Sequence, residues 1–430
     1  RPSLTRTALR SIRVFVFIFA LLTVMNIYGL RLADIALSVT VFSAETGCYD
    51  CLRDRVRANV PTTDATAQGT RSAVRFAGAL AGRRAIQHLS GADVAGTVTE
   101  VDGPERAFLP SPGCDCGAVP TGFELRAPED PVGLDDAVDR MDRAVDDRLG
   151  IVTEVGERES MPAPYYIART TDTAAFADTR CAEFAAGVAA DWDAAYAKAI
   201  GEALERYCAG TYRASSFRSA PTAGVVDAVP VDRFVRPADA GTPESDDHVP
   251  WVAGIDLATR ESASLPAEFV VFPPPEERFA PAITTGLGLG NSTAEAVLSG
   301  LYETVERDAS MLAWYSTFEP MGLDIDDEGF ETLRKRARTE ELSVTPLLLT
   351  QDVDVPVVGV AVHRDGETGE WPQFAMGSAA DLDAAAAARN ALAEALQNWM
   401  ELRAMGPEQA SREEGAIGSP TASGSSSPRT

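Results

Sequence analysis

The chain has 430 residues, 45% of them hydrophobic, which is enough for two or three domains with cores of their own. Its formal net charge is −26, and of its 38 basic residues only Lys198 and Lys335 are lysines. A charge of this sign excludes nucleic acid as a partner of the body of the chain, because phosphate binding needs a basic face. It points to a salt-rich cytoplasm, where screening relieves the self-repulsion of a halophilic protein; an ordinary acidic protein of a GC-rich genome is the other reading.

The first 43 residues break with this composition. Arg1, Arg6, Arg10, Arg13 and Arg31 stand against Asp34 alone, a local charge of +4 that leaves −30 for the rest. The run VFVFIFALLTVMNIYGL, residues 14–30, is apolar apart from Thr23 and Asn26. Arginines ahead of such a run resemble a signal peptide or a membrane anchor, although about 17 residues lie at the short edge for a bilayer span. Three readings stand: an anchor, a hydrophobic start to the first domain, or sequence foreign to the folded protein through a misassigned start or shifted frame. The charge discontinuity favours the last. A cytoplasmic location is expected, with membrane anchoring through residues 14–30 as the alternative. Next, LADIALSVTVF (residues 32–42) reads as a buried strand rich in β-branched residues.

Four of the six cysteines pair locally, Cys48 with Cys51 as C-x-x-C and Cys114 with Cys116 as C-x-C. Two such pairs, 63 residues apart, can supply four thiolates to one tetrahedral zinc, and the Pro112-Gly113 turn suits a zinc knuckle. Reduced thiols or a disulfide are the alternatives, the disulfide being disfavoured in a cytosol. Cys181 and Cys208 read as buried core thiols. The three histidines, His88, His248 and His363, stand apart from any nucleophile, which argues against Ser-His-Asp or Cys-His chemistry. No G-x-x-x-x-G-K-[ST] loop occurs, so a P-loop nucleotide site is excluded.

LDDAVDRMDRAVDDRL, residues 134–149, carries Leu134, Val138, Met141, Val145 and Leu149 at helical spacing; it predicts a surface helix ended by Gly150, with a strand following. Three later segments also read as helices: 194–210, 293–315 and 382–403. The first two contain Glu-x-x-Glu-Arg (Glu202, Glu205 and Arg206; Glu303, Glu306 and Arg307), each preceded by a glycine, Gly201 or Gly300. The third contains Glu-x-x-Gln, Glu394 and Gln397. Acids at i and i+3 share one helix face, and among Ala, Leu, Val and Ile they are costly unless a cation or donor meets them. Brought together, such pairs would bind hard cations such as Mg2+, which can bridge carboxylates to a polyphosphate. In a chain with 64 acids a single pair is more often a solvated helix face; Glu154 and Glu157 form one on a strand and turn.

The surrounding sequence resembles the YcaO family. GEALERYCAG (201–210) resembles its first signature, TTGLGLGNSTAEAVLSGLYETVERDA (284–309) its second, and GSAADLDAAAAARNALAEALQ (377–397), with Arg389, its third. WVAGIDLATRESASLPAEFVVFP (251–273) resembles the strand pair before the second signature, and the likeness runs over residues 135–408. The resemblance implies ATP held through Mg2+ by Glu202, Glu205, Glu303, Glu306, Glu394 and Gln397. Asn291, at a helix N-terminus, and Arg307 are secondary candidates. Arg206 and Arg389 are left open between ligand contact and pairing with the glutamates.

The upstream C-x-x-C-L-x-x-R and Pro-Gly-Cys-x-Cys resemble the zinc-bearing, ubiquitin-activating-enzyme-like part of azoline-forming cyclodehydratases. The fold class implied is α/β (α+β): a YcaO-type domain of mixed sheets and helices, preceded by a small zinc-bearing α/β domain. The expected organisation is an apolar, Arg-bearing leader of doubtful status at 1–43, a zinc-bearing docking domain at 44–130, the YcaO ATP-binding domain at 131–415 and a disordered tail at 416–430. The implied cofactors are ATP, Mg2+ and structural Zn2+, and the implied activity is formation of thiazolines or oxazolines on a ribosomally made precursor peptide, as in bacteriocin biosynthesis. A leader-peptide-binding protein or a flavin dehydrogenase and a second copy of the chain are the implied partners. The alternatives are an accessory factor for ribosomal-protein methylthiolation or thioamidation, or a non-catalytic remnant.

Two departures from the family pattern stand out. Cyclodehydratases continue past the third signature to a Pro-x-Pro-x-Pro tail, whereas this chain ends in AIGSPTASGSSSPRT, residues 416–430. The first signature also often has a small hydroxyl residue where this chain has Ala199. The expectation is a truncated or frame-disrupted copy that binds ATP and forms azolines poorly.

Overall fold

In the computed structural model, residues 38–43, 45–60, 70–101, 103–112, 114–116, 132–350, 352–364 and 370–412 are described. The expected leader up to residue 37, with the apolar run 14–30, Gly113 of the knuckle turn, and the tail 416–430 lie outside them. Among the described residues no helix is long and apolar enough to cross a membrane.

The chain divides into two compact units. The smaller holds β1 (Ser38–Val41), α1 (Tyr49–Asn59), α2 (Arg71–Leu89), β2 (Thr97–Glu100) and β3 (Glu105–Ala107). Its strands form an antiparallel sheet in the order β1-β2-β3, with Ser38 opposite Glu100 and Thr97 opposite Ala107. Cys51, Leu52, Val56, Val98, Phe108 and Leu149 form its core.

The larger unit opens with α3 (Leu134–Met141). This helix stops short of the predicted Leu149: a single 3-10 turn, Asp142–Ala144, follows it. The physical reason lies in the aspartates, since Asp146 Oδ1 accepts from the backbone N–H groups of Arg148 (3.0 Å) and Leu149 (2.8 Å), replacing helical hydrogen bonds. β4 (Val152–Glu159), β5 (Tyr165–Thr170) and β6 (Phe184–Val188) then form an antiparallel sheet, Tyr165 facing Val188, and α4 (Trp192–Gly210) packs on it. A second antiparallel sheet follows, of β7 (Arg218–Ala220), β8 (Val249–Ile255) and β9 (Ser262–Pro266). The helix α5 (Thr293–Tyr315), the short β10 (Met321–Gly322) and α6 (Glu328–Thr339) lead to β11 (Ser343–Leu348), β12 (Val357–His363) and β13 (Phe374–Ala380), which pair antiparallel with β10 at the edge. The last long helix is α7 (Ala384–Met405).

Each long helix starts where a side-chain oxygen can cap it: Asp191 accepts from Ala194 N at 2.9 Å, Ser292 from Glu295 N at 3.2 Å, Asp327 from Phe330 N at 2.8 Å and Asp383 from Ala385 N at 3.0 Å. β12, VVGVAVH, is buried on both faces over most of its length, which is why its valines do not alternate with polar residues. Val358, Val360 and Val362 join the main core with Leu392, Leu396, Trp399 and Met400 of α7, while Val357 points the other way, to Ala309 of α5.

Helices α4 and α7 approach their strands unusually closely. A Cβ on Gly187 of β6 would lie 2.2 Å from both Ala195 O and Ala199 N, and one on Gly377 of β13 would lie 2.4 Å from Ala395 N and 2.5 Å from Ala391 O. Gly288, ahead of α5, meets Ala296 O at 2.2 Å in the same way. These atoms are backbone and cannot turn aside as a side chain would. Gly377→Ala is therefore expected to destabilise the protein by about 1–3 kcal/mol or more, a fall of several degrees in melting temperature. Gly82→Ala in α2, where a Cβ meets nothing within 4 Å, should instead leave stability unchanged or raise it by up to about 1 kcal/mol, with a melting temperature equal to or above that of the wild type. A melt in which the two variants behave alike would contradict the close packing.

Candidate functional site

The close approaches bring glutamates within reach of strand and loop backbone. On α4, Lys198, Glu202 and Glu205 lie at i, i+4 and i+7, on one face of the helix. Glu202 Oε2 accepts from Ala186 N at 3.2 Å, and its Oε1 accepts from Arg206 Nη2 at 3.2 Å. On α5, Glu303 Oε2 accepts from the N–H of Gly286 at 3.3 Å. One serine, Ser378 within β13, serves two helices: its Oγ donates to Glu306 Oε1 at 2.7 Å and its N–H donates to Glu394 Oε2 at 2.9 Å.

Five glutamates thus face one another, half-buried, and their protonation reflects it. Burial pushes the Glu205 carboxyl up to about 7, with the charges of Glu303 and Glu202 adding to the effect and Arg206 opposing it. Glu306 is held well above the usual carboxylate range by burial and then by Glu394. Glu303 and Glu394 are raised as well, burial again being the first cause. A set of carboxylates that resists ionising together is one that a divalent cation would relieve, and oxygen donors of this kind suit Mg2+.

The remaining candidates lie around this cluster. Arg307 is largely exposed, with Nε 4.0 Å from Glu303 Oε1, and its charge favours ionisation of Glu303, Glu306 and Glu394. The backbone N–H of Asn291 donates to Glu295 Oε2 at 2.7 Å, while the N–H of Glu295 donates to Oγ of Ser292, the cap of α5. Gln397 turns its Nε2 to Glu401 Oε1 at 3.0 Å, and the same oxygen accepts from Tyr165 Oη at 2.7 Å. Of the two arginines left open by sequence, Arg206 pairs with Glu202, whereas Arg389 binds Asp327, the cap of α6, at 2.6 Å. Nε and Nη1 of Arg206 find no hydrogen-bond partner among the described residues. Ser378, Glu401 and Lys198 went unassigned in the sequence. Ser378 directly follows Gly377 within a quoted signature, but its double role needs two helices that are distant in the chain.

In the smaller unit, Cys48, Cys51, Cys114 and Cys116 converge, with their sulfurs all within 4.8 Å of one another. Sγ separations are 3.8 Å for Cys48–Cys51, 3.6 Å for Cys48–Cys114 and 3.7 Å for Cys51–Cys116. These are too long for disulfides; a tetrahedral zinc with bonds of about 2.3 Å requires sulfurs about 3.8 Å apart. Arg55, only 1% exposed, clamps the incoming loop, its Nε donating to Leu109 O at 2.5 Å and its Nη2 to Pro110 O at 3.1 Å. Ser111 Oγ donates to Cys51 O at 3.4 Å, tying the same loop to α1. Of the two cysteines outside the cluster, Cys181 is buried as expected, but Cys208 is exposed, on the turn of α4 after Glu205.

Fold and site together define a mixed α/β protein whose helices converge a carboxylate cluster. Residues 186–421 match the family described as YcaO cyclodehydratase, ATP- and Mg2+-binding; this is more than half of the chain, and the chain belongs to that family. It is 29% identical over 226 residues to an uncharacterized protein of Methanothermobacter thermautotrophicus, covering 50% of this chain and 56% of that one. It is also 29% identical over 164 residues to an uncharacterized protein in the tfuA 3' region of Rhizobium leguminosarum bv. trifolii, covering 35% and 39%. The chain thus spans about half, or less, of the length of these curated relatives. A solved heterocyclase in complex with substrate and cofactor superposes with a TM-score of 0.65 at 20% identity, over 85% of this chain and 58% of that one, a likeness of fold.

The raised carboxylates predict a pH signature. The Glu205 carboxyl takes its proton at about 7 in the folded chain, against 4.5 ordinarily, so its protonated form favours folding. That contribution is full below the lower value and is lost as pH rises through the upper one. Without divalent cations the melting temperature should therefore fall across this window, and Glu205→Gln should flatten the fall. Mg2+ should raise the melting temperature most above the window, where the carboxylates are charged. A Glu205→Gln profile that overlays the wild type would remove Glu205 from the effect.

Proposed function

We propose that this chain binds ATP through Mg2+ at Glu202, Glu205, Glu303, Glu306 and Glu394, and uses it to activate backbone amides of a ribosomally made precursor peptide. The observation that carries the proposal is the convergence of five carboxylates from three helices, each held by a donor or facing its neighbours' charge, in a chain that belongs to a family described as ATP- and Mg2+-binding. Bound ATP would supply the phosphoryl group that turns a poor leaving group, the amide oxygen, into a good one. The chain's own contribution is positional. Ser378 fixes Glu306 and Glu394 against each other, and backbone N–H groups orient Glu202 and Glu303, so that the donor set is assembled before ligand arrives. Asn291, just ahead of α5, and Arg307 on it flank the set, and Gln397 is aligned by Glu401. Addition of a Cys, Ser or Thr side chain to the amide carbonyl, transfer of the ATP γ-phosphate to the resulting oxygen and loss of that phosphate would leave an azoline. A precursor peptide, a leader-binding protein or a flavin dehydrogenase, and a second copy of the chain remain the proposed partners.

A second reading is favoured by the likeness to the protein of the tfuA 3' region, which supports thioamidation of a peptide or protein. Mass spectrometry separates the two: ring formation removes one water per ring, whereas thioamidation replaces an oxygen by sulfur.

Calorimetric titration in concentrated salt, suited to a charge of −26, should detect ATP binding with Mg2+ and little without it. Glu303→Ala combined with Glu306→Ala should abolish it, and unchanged binding in that variant would remove the nucleotide assignment.

We also propose that Cys48, Cys51, Cys114 and Cys116 hold one structural zinc, supported by the tetrahedral spacing of their sulfurs. Elemental analysis should find about one zinc per chain, lost in Cys48→Ser/Cys51→Ser together with thermal stability. Full retention of zinc by that variant would rule the site out.

A further inference from the structure

Lys198 is the charged group at this site that the glutamate pattern does not account for. It lies one turn before Glu202 on the same face of α4, and its Nζ donates to Asn390 Oδ1 at 2.9 Å. Asn390 in turn lies one turn before Glu394 on α7. The amine thus sits where the glutamate faces of α4 and α7 begin. Around it are Arg389, Glu394 and Asp191. Among the described residues it forms no ion pair within 4.0 Å, although it stands beside a cluster of carboxylates. Those carboxylates are already engaged: Glu394 by Ser378 N, Glu202 by Ala186 N and Arg206. An ammonium has three donors, and Asn390 takes one. Water reaches the side chain, yet the protein crowded around it, with Arg389 adding to the effect, brings the pKa down to about 8.

Composition makes the residue more pointed. Of 38 basic residues in the chain only two are lysines, and one of them stands here. The two side chains differ physically: arginine is a planar fork suited to carboxylates, lysine a compact point charge suited to the crowded oxygens of a phosphate chain. The site has no phosphate-binding loop with its lysine, and metal-bound carboxylates leave the outermost phosphate oxygens uncompensated.

We propose that Lys198 is a phosphate-binding residue of the glutamate site: held by Asn390 at the junction of α4 and α7, its amine receives the terminal phosphate of the bound nucleotide. This rests on the ATP assignment proposed above and adds to it the group that distinguishes ATP from ADP and AMP.

The test is titration of the full chain with ATP, ADP and AMP in the presence of Mg2+, on the wild type, Lys198→Met, Lys198→Arg and Asn390→Ala. Loss of a charge-assisted hydrogen bond should weaken ATP binding about ten- to hundredfold in Lys198→Met, with AMP binding nearly unchanged. Lys198→Arg, which keeps the charge, should recover part of the loss. Asn390→Ala should weaken ATP less than Lys198→Met does, because it frees the amine without removing it. Thermal melts establish that each variant is folded, and the polar, uncharged Lys198→Gln carries the test if Lys198→Met is not, with the same loss for ATP expected. ATP affinity unchanged in Lys198→Met overturns the inference and leaves the glutamate assignment standing. An equal loss for ATP, ADP and AMP, reproduced by Asn390→Ala, overturns it in favour of a strut between α4 and α7. Wild-type protein that binds no nucleotide, or binding that survives Glu303→Ala/Glu306→Ala, overturns the underlying assignment instead.

Discussion

The constraint on which the larger unit depends is the close approach of helix backbone to strand and loop backbone at Gly187, Gly288 and Gly377. Each contact lies within two turns of a site glutamate. An ordinary side chain at any of these positions would push its helix outward. The carboxylates of Glu202, Glu303 and Glu394 would then leave the reach of the N–H groups of Ala186, Gly286 and Ser378. The alanines of α4 and α7 serve the same end, because a short side chain on the contacting face lets the helix lie flat on its sheet. Packing and site chemistry are therefore one problem here: the glycines and alanines that set the helix height also set where the acids point.

The acids make that arrangement unfavourable by themselves. Burial and mutual repulsion hold Glu205, Glu303, Glu306 and Glu394 above their ordinary range. Stability is surrendered at the site in exchange for readiness to take a cation, a common trade where a site must be preorganised. The body of the unit offsets it with a dry core, in which Trp399, Leu392 and Leu396 of α7 and the valines of β12 are all fully buried. Ser378 stands at the junction of the two, one residue beyond Gly377, and it converts the position of a strand into the spacing of two carboxylates on different helices.

The smaller unit solves a different problem. Its core is small and rests largely on Leu52, Val56, Val98, Phe108 and Leu149, with Cys51 buried among them. A core of this size gains most from a cross-link, and four sulfurs at tetrahedral spacing supply the means for one. The buried Arg55 completes the arrangement by donating to the carbonyls of Leu109 and Pro110 just before the second cysteine pair.

Much of this was legible in the chain as a string of residues. Helix α5 has the bounds predicted for it, 293–315, and α4 and α7 start and stop within two residues of theirs, because their alanine-rich periodicity and their Asp or Ser caps are local. The glutamate and cysteine motifs were legible too, since each is short. Local signals misled where side chains competed with the backbone: α3 looked continuous to Leu149, but the Asp146 carboxylate takes the N–H groups that a helix would use. Cys208 was expected to be a core thiol because it has no partner cysteine in the pattern, yet it is exposed, beside the buried Tyr207 and Ala209. Gly201, next to its glutamate in sequence, sits at ordinary contact distance, while Gly187, unremarkable in sequence, permits the approach. What only the tertiary structure decided was convergence: which glutamates meet, that Arg389 serves Asp327, that Ser378 joins two helices, and that Lys198 stands among them. Sequence determines a residue's face and its local partners through backbone geometry; the meeting of faces some hundred to two hundred residues apart depends on the height at which each helix packs, and that is set by contacts between backbones which no local pattern records.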